Sequence, residues 1–407
     1  MLQSVYEDPL SAAAVSRHLI PDLPSAEQVL PYLKRIDEVR WYSNFGPLVC
    51  EFEERLQSLL TQRDTLRDGG RIHLTTLASG YAALEVGLRI AGIGPGKKVL
   101  LPAITFTACP LAVLHTGAET LLAEVDPVNW SLTPRIAAAA AERTQVDAVM
   151  PVAVYGVPLP ASEWDQFSSD TDIPVIMDAA AAIYAQEIPK RGMAAYSLHA
   201  TKPFGVGEGG VLASRDPDVV SRGRIYSNFG MVDRIARMNG ANAKMSEYHA
   251  AVGLAQLDRL DLVKKARERL LELYLECLEP LTGFLSAQPA IETAVVSCLM
   301  LLLKTPRADE LLSNSRQTKV SFHRTYLPPL YRHPYFGGLP VVDAEGAVLR
   351  GDANEAKKRA HMPTCERLAA SLVGVPFHPF MREADVMQVV NSLTAFLCSQ
   401  STFHHCV

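Results

Sequence analysis

The chain has 407 residues, a formal net charge of −5 and a hydrophobic content of 48%. A chain of this length can bury a large core and is expected to form one large domain and a smaller one. Because no basic cluster longer than two or three residues appears, neither a nucleic-acid surface nor a membrane surface is expected. The longest apolar run, residues 294–303, is too short to span a bilayer and predicts a buried strand.

The cysteines and the two termini indicate a reducing, cytoplasmic setting. The seven cysteines are odd in number, scattered and never in C-x-x-C spacing, which argues against a disulfide framework and against a zinc site. The N-terminus, MLQSVYEDPL, lacks the basic-then-apolar pattern of an export signal. The tail carries His404, His405 and Cys406, for which a frayed terminus is favoured over a metal site. No metal is therefore expected.

The predicted elements begin with an N-terminal segment, residues 1–40, that contains a helix near residues 25–39. A large domain is predicted over residues 41–282 and opens with an amphipathic helix near residues 48–60. Strands and helices then alternate, with strands at residues 72–77, 99–104, 120–125, 148–154 and 175–178. This alternation predicts an α/β fold whose mainly parallel central sheet is sandwiched by helices.

Two further strand-like runs, residues 194–200 and 210–213, flank a loop, and a long amphipathic helix is predicted over residues 245–278. The remainder, residues 283–407, is predicted to be a smaller C-terminal α+β domain. Ligands of mainly parallel sheets bind at the carboxyl ends of the strands. The residues predicted at such positions are Ser79, Phe106, Tyr155, Asp178 and Lys202.

Lys202 lies in the loop SLHATKPFGVGEGG, residues 197–210, where its amine is the only strong nucleophile. A lysine that does covalent work most often links to the aldehyde of pyridoxal phosphate (PLP). The alternative for an isolated lysine is a solvated surface position. The loop also contains the dinucleotide-binding pattern G-x-G-x-x-G, but that pattern must open a helix, and here it runs into a strand.

Other strand-end residues match what PLP requires. A carboxylate must keep the pyridine nitrogen protonated, and Asp178 ends the apolar strand VIMD, where a buried carboxylate needs a partner. The turn at Ser79 and Gly80 opens a helix whose first N–H groups can bind a phosphate, although a serine N-cap is also an ordinary way to begin a helix. Phe106 is placed to stack on the ring, or is a core residue.

Five motifs together resemble one family: ASGYAAL, PAITFTA, DAAAA, the lysine loop, and NGANAKMSEYHAAVGLAQLDRLD. Over residues 40–400 the chain is similar to the DegT/DnrJ-type sugar aminotransferases, a branch of the fold-type-I PLP-dependent transferases. The resemblance implies that fold, PLP as the cofactor, and a homodimer whose active sites are shared between protomers.

The resemblance also implies roles for individual residues. Lys202 would be the Schiff-base lysine and would move the proton, Asp178 would pair with the pyridine nitrogen, and Phe106 would stack on the ring. Asn242 would reach the phosphate of the neighbouring subunit's cofactor. The residues that would hold the phosphate within the subunit are Ser79, Gly80, Tyr81 and Ser197.

Two positions depart from the family's pattern. Ala181 stands where most members have a glutamine that donates to the phenolic oxygen of the cofactor, which puts catalytic tuning in doubt. Tyr81 stands where a smaller hydroxyl residue is usual. Members that dehydrate carry histidine in place of the lysine, so Lys202 favours transamination.

The implied reaction moves an amino group from an amino acid, by family habit glutamate, to a keto sugar. The expected acceptor is a nucleotide-linked 4-keto-6-deoxyhexose or its 3-keto isomer. Arg324 and Tyr326 resemble a family segment that reaches toward the active site, and the alternative for both is a structural surface contact.

Two alternatives stay open. One is a PLP enzyme that acts on a cyclitol or another natural-product ketone, or a PLP lyase or dehydratase, which Ala181 gives some weight. The other is a noncatalytic regulator that keeps the fold, against which Lys202 and Asp178 count.

Overall fold

The computed structural model describes residues 15–65 and 70–399. The interpretations of the first ten residues and of His404, His405 and Cys406 fall outside these ranges. Across the two ranges, no helix combines the length and the apolar character needed to cross a bilayer. The same ranges contain no group of three or more His, Cys, Asp or Glu side chains arranged to hold a metal ion.

The first half of the chain alternates helices and strands, as predicted. Its elements are α1 (Ala26–Val39), α2 (Pro47–Thr65), β1 (His73–Leu77), α3 (Gly80–Ile90), β2 (Lys98–Pro102), α4 (Ala108–Thr116), β3 (Glu119–Ala123), α5 (Pro134–Arg143), β4 (Ala148–Val149), α6 (Ala161–Thr171), β5 (Val175–Asp178), β6 (Gly192–Ser197) and β7 (Gly210–Ser214).

The second half is richer in helices. Its elements are α7 (Pro217–Ser227), β8 (Met231–Val232), β9 (Ile235–Ala236), α8 (Glu247–Asp258), α9 (Leu260–Leu278), β10 (Leu285–Ala287), β11 (Leu299–Leu303), α10 (Ala308–Thr318), β12 (Val341–Val342), β13 (Val348–Leu349), α11 (Glu355–His361), α12 (Pro363–Ser371), β14 (Leu372–Val375) and α13 (Glu383–Cys398).

The central sheet has nine strands in the order β1-β7-β6-β5-β4-β2-β3-β12-β13. Its middle, from β6 to β12, is parallel throughout, while β7 and β13 pair antiparallel with their neighbours. The prediction of an α/β fold with a mainly parallel sheet is confirmed. Parallel strands need crossover helices, and these cover both faces of the sheet.

Side chains that alternate along each strand build a core on each face. In β5, Val175 and Met177 pack with α2 and α8 on one face, whereas Ile176 packs with α3 and α4 on the other. A strand buried on both faces must be apolar throughout, as Val175–Asp178 is up to its last residue. Asp178, the polar residue, therefore stands at the end of β5, where the strand leaves the core.

Side-chain caps begin several of the helices. Ser79 accepts a hydrogen bond from Ala82 N at the start of α3, and Ser246 accepts one from His249 N at the start of α8. Such caps satisfy N–H groups that have no partner within the helix. At the start of α2 the N–H groups are capped by a side chain that is distant in sequence. The fully buried carboxylate of Glu247 accepts hydrogen bonds from Leu48 N at 2.7 Å and from Val49 N at 3.0 Å.

Three predicted elements differ from the structure. The prediction of a single helix over residues 245–278 is wrong, because α8 and α9 are separate helices. The break lies at Arg259, which has non-helical backbone angles and whose guanidinium pairs with Asp22 at 2.8 Å. The strand over residues 148–154 ends at Val149, since a tight turn with Tyr155 at φ 60° follows. The strand over residues 294–303 begins only at Leu299.

The C-terminal part contains a three-stranded antiparallel sheet, β10-β11-β14, with its own apolar core. The same part of the chain also sends β12 and β13 to the outer edge of the large sheet, where β12 pairs with β3. The division into a segment 1–40, a domain 41–282 and a domain 283–407 stays a prediction. The chain after residue 283 contributes to both sheets.

Candidate active site

A cavity of about 610 Å³ lies where the predicted strand-end residues converge. Loops that follow β1, β2, β5 and β6 supply one side. Ser297 and Cys298, just before β11, and residues 323–326, between α10 and β12, supply the other. The predicted residues that line it are Ser79, Gly80, Tyr81, Phe106, Asp178, Ser197, Lys202, Arg324 and Tyr326. Their placement around one space follows from the rule that parallel strands end at a common edge.

Asp178 is the last residue of β5 and is 4% exposed. Its Oδ1 accepts from Ala180 N at 2.9 Å, and its Oδ2 accepts from the thiol of Cys109 at 2.9 Å. Burial raises the pKa of Asp178, while these two hydrogen bonds and the charge of Lys202 oppose the rise. A cation placed against this carboxylate would favour its ionised form.

Lys202 faces the same cavity from the loop after β6. A tight turn positions it, in which Lys202 N donates to the carbonyl of His199 at 2.9 Å. Burial lowers the pKa of the Lys202 amine, and the negative charge of Asp178 opposes this shift. A lowered pKa increases the fraction of uncharged amine, which is the nucleophilic form.

The helix α3 points its N-terminus at the cavity. Gly80 begins the helix, and a Cβ at this position would lie 2.6 Å from the Cβ of Ser197, so only glycine lets the helix start so close to β6. Gly210 is similarly confined, because its Cβ would lie 2.2 Å from Ser79 O. Backbone N–H groups at a helix N-terminus, beside two serine hydroxyls, form a site suited to a phosphate.

Tyr81 lines the cavity, and its hydroxyl has a partner within the chain. Its hydroxyl contacts His115 Nδ1, and the two rings meet edge to face with centroids 5.8 Å apart. Burial is the largest of the effects that raise the pKa of Tyr81, with Glu85 adding to it. The hydroxyl is thus held by a partner on α4.

An aromatic group forms another wall. Phe106 is 59% exposed toward open space, and its ring centroid lies 6.2 Å from that of Tyr326. Tyr326 stacks on Tyr155 with centroids 5.3 Å apart and planes 8° apart. Tyr155 and Tyr326 both have positive φ, which non-glycine residues adopt rarely and which occurs often at functional sites.

Three of the positions named from the sequence, Tyr155, Asn242 and Ala181, do not line the cavity. Asn242 is exposed, and its Oδ1 accepts from Lys244 Nζ at 2.8 Å. Ala181 is buried, and it has no side-chain donor to offer a ligand. Ala181 therefore cannot supply the hydrogen bond that a glutamine at this position, three residues after Asp178, supplies in most members of the family.

Several residues at or behind the cavity wall were not predicted from the sequence as site residues. Cys109 does not line the cavity itself but contacts Asp178 from α4, and a lone cysteine in an apolar helix carries no sequence signal. Cys298 faces the cavity beside Ser297, and burial raises the pKa of its thiol to about 11. His18 and His323 reach the cavity from segments about 300 residues apart, with ring centroids 4.6 Å apart.

The residues present fit PLP. A buried carboxylate, a desolvated amine, an uncovered aromatic ring and a helix N-terminus border one cavity of sufficient size. Asp178 would pair with the pyridine nitrogen, Lys202 with the aldehyde, and the α3 N-terminus with the phosphate.

Comparisons with known proteins point the same way. The model of the DegT/DnrJ/EryC1/StrS aminotransferase family matches residues 25–394. The chain is 31% identical to Protein Mb3436c of Mycobacterium bovis, over 91% of this chain and 87% of that protein. It is 27% identical to GDP-perosamine synthase of Caulobacter vibrioides, over 90% and 94% of the two chains. Among solved structures, DesI in the presence of its TDP-sugar product superposes with a TM-score of 0.76, at 27% identity, covering 96% of this chain and 95% of that one.

Proposed function

This chain belongs to the DegT/DnrJ/EryC1/StrS aminotransferase family, and from that premise we propose that it moves an amino group from glutamate to a nucleotide-linked keto sugar. The predictions of a PLP-dependent transaminase and of PLP as the cofactor are confirmed. The proposed acceptor is a 4-keto-6-deoxyhexose or its 3-keto isomer. Support for a sugar comes from the similarity to GDP-perosamine synthase and to DesI, which was solved in the presence of its TDP-sugar product.

The observation that carries the proposal is the presence of Lys202 and Asp178 in one cavity, each affecting the pKa of the other. When bound, PLP supplies an electron sink for the electrons of a broken C–H bond. Lys202 would hold the aldehyde, and its amine, once free, would move the proton from the donor's α-carbon to the carbon that carried the aldehyde. Asp178 would keep the pyridine nitrogen protonated.

The other residues bind and orient. We propose that Phe106 packs on one face of the cofactor ring and that Arg324 and Tyr326 contact the substrate. The phosphate would be held by Ser79, Gly80, Tyr81 and Ser197. We also propose a homodimer, in which Asn242 reaches the phosphate in the neighbouring subunit. The exposure of Asn242 and of Phe229 nearby supports an interface on this side of the molecule.

Two half-reactions test the function. Purified protein loaded with PLP is mixed with glutamate in a single turnover, and the spectral change to the pyridoxamine form and the release of 2-oxoglutarate are measured. The pyridoxamine form is then mixed with a panel of nucleotide-linked keto sugars. Amination of a member of the panel supports the proposal, and absence of the first half-reaction with all common amino donors contradicts it.

A second acceptor class is favoured by one observation. Ala181 supplies no donor to the cofactor's phenolic oxygen, so the electronic tuning differs from that of most family members. A cyclitol or another natural-product ketone would then be the acceptor. The same panel, extended with such ketones, distinguishes the two classes because the first half-reaction is common to both.

A further inference from the structure

One guanidinium that lines the cavity has a complete hydrogen-bonding edge without a partner. Arg324 Nη1 lies 3.0 Å from Asp309 Oδ1, whereas Nε and Nη2 are buried and make no hydrogen bond to the described residues. These two nitrogens present parallel N–H donors in the fork that matches a carboxylate. Buried donors left unpaired are costly, and on Arg324 both donors of one edge lack a partner, so a ligand that bound this edge from the cavity would remove that cost.

The charges around the cavity favour a singly charged group at this edge of Arg324. Among the described residues that line it, the cationic side chains are Lys202 and Arg324, and Lys202 is assigned to the cofactor. Burial lowers the pKa of the neighbouring His323 to about 3, so its ring is neutral at physiological pH. Asp309 already compensates part of the Arg324 charge. A carboxylate therefore suits this edge better than a phosphate with two charges.

We propose that the Nε and Nη2 edge of Arg324 binds a carboxylate of the amino donor. This inference rests on the proposed function, because the donor's amine must meet the cofactor in the same cavity. An amino acid always carries a carboxylate, whereas a nucleotide-linked sugar brings a diphosphate. Asp309, at the start of α10, pairs with Nη1 on the other side of the guanidinium and leaves the Nε and Nη2 edge for the carboxylate.

The test measures binding of glutarate, a dicarboxylate that has no amino group and cannot react. Isothermal titration calorimetry is performed on the PLP-loaded protein and on R324Q, R324K and R307Q. Arg307 is the matched control, because it pairs with Glu310 on the same helix α10 and does not line the cavity. R324Q should weaken glutarate binding by about 10- to 100-fold, R324K should weaken it less, and R307Q should leave it unchanged.

Glutarate affinity that is unchanged in R324Q overturns the inference. A nucleoside diphosphate serves as the second probe, and weaker binding of this probe with unchanged glutarate binding also overturns it, since the edge would then serve the acceptor. Circular dichroism and PLP binding verify the fold of each variant. If R324Q does not fold, R324K takes its place, and an unchanged glutarate affinity in R324K overturns the inference.

The outcome is separable from that of the proposed function. If wild-type protein completes the glutamate half-reaction while R324Q binds glutarate normally, the function stands and the assignment of Arg324 fails. If R324Q loses glutarate affinity but wild-type protein does not react with any amino donor, the carboxylate site stands and the transaminase function fails.

Discussion

The thiol of Cys109 donates a hydrogen bond to Asp178 Oδ2 at 2.9 Å, inside a fully buried part of the molecule. Thr105 Oγ1 lies 3.1 Å from the same sulfur, so the thiol is held between a hydroxyl and a carboxylate. Burial is the largest cause that raises the pKa of Cys109, and Asp178 adds to it, which keeps the sulfur protonated and able to donate.

Replacing Cys109 with alanine removes one of the two hydrogen bonds that this structure gives the carboxylate of Asp178. A buried acceptor that loses a donor is destabilised by about 1–3 kcal/mol, so C109A should bind PLP more weakly and should show an altered cofactor spectrum. C109S restores a donor and should recover most of the affinity. Spectral titration with PLP measures both effects.

Cys365 provides the control for this experiment. It is another fully buried thiol beside a carboxylate, but its partner Glu124 does not line the cavity, whereas Asp178 does. C365A should lower stability without changing the PLP titration. Equal losses of PLP affinity in C109A and C365A would contradict a specific role for Cys109.

Lys202→Ala should abolish covalent capture of PLP and turnover, because no other amine lines the cavity among the described residues. Borohydride treatment followed by peptide mass spectrometry should locate the cofactor on Lys202 in wild-type protein and find none on the variant. Lys202→Arg keeps the positive charge and should behave like the alanine variant. Transamination by Lys202→Ala at the parent rate would disprove the assignment.

The rate of PLP capture should depend on pH with a midpoint below the value of about 10.4 that is usual for lysine. Only the uncharged amine attacks the aldehyde, and burial lowers the pKa of Lys202, so the reactive fraction appears at lower pH. Asp178→Asn removes the charge that opposes this shift, and the midpoint should fall further. Stopped-flow absorbance measures it, and a midpoint equal to that of free lysine would be inconsistent with a desolvated amine.

His323 should make the protein less stable in mild acid. Burial lowers the pKa of His323 to about 3, and its unfolded value is near 6.5, so the unfolded state binds more protons between these values. The contribution of His323 to the free energy of unfolding is fully present above about pH 6.5, and it falls by on the order of a few kcal/mol as the pH drops toward 3. Urea unfolding at several pH values should show a smaller loss in His323→Phe.

The same substitution at His333 tests whether the effect is local. Its Nε2 lies 3.0 Å from Pro328 O at an exposed site. His333→Phe should leave the pH dependence of unfolding unchanged. If both variants respond alike, the loss of stability in acid has another origin.

Glu247 should be necessary for the stability of α2. Its carboxylate is the acceptor for the N–H groups of Leu48 and Val49, and it is fully buried. Glu247→Ala leaves two buried donors unpaired and should cost about 2–5 kcal/mol. Glu247→Gln keeps one acceptor and should cost less, as measured by urea unfolding.

The sequence predicted the central sheet and its strand-end residues because both depend on local pattern. An apolar strand that ends in a polar residue, such as Val175–Asp178, can be recognised from its residues alone. Lys202 can be recognised as a candidate nucleophile from the loop in which it lies. Contacts between distant segments carry no such pattern, which is why the pairs Cys109 with Asp178 and His18 with His323 were not predicted. The break at Arg259 was missed for the same reason, since Asp22 holds it from far away in the chain.

The pairing of β12 with β3 affects how the chain is completed during synthesis. Pro340 O accepts from Leu122 N at 3.0 Å, and Val342 O accepts from Glu124 N at 2.7 Å, so the outer edge of β3 is satisfied by residues made more than 200 positions later. Until Pro340 and Val342 leave the ribosome, the outer edge of β3 has no partner strand, and an unpaired strand edge is a template for association with other chains. This edge of β3 therefore stays unpaired during synthesis until residue 342 has emerged.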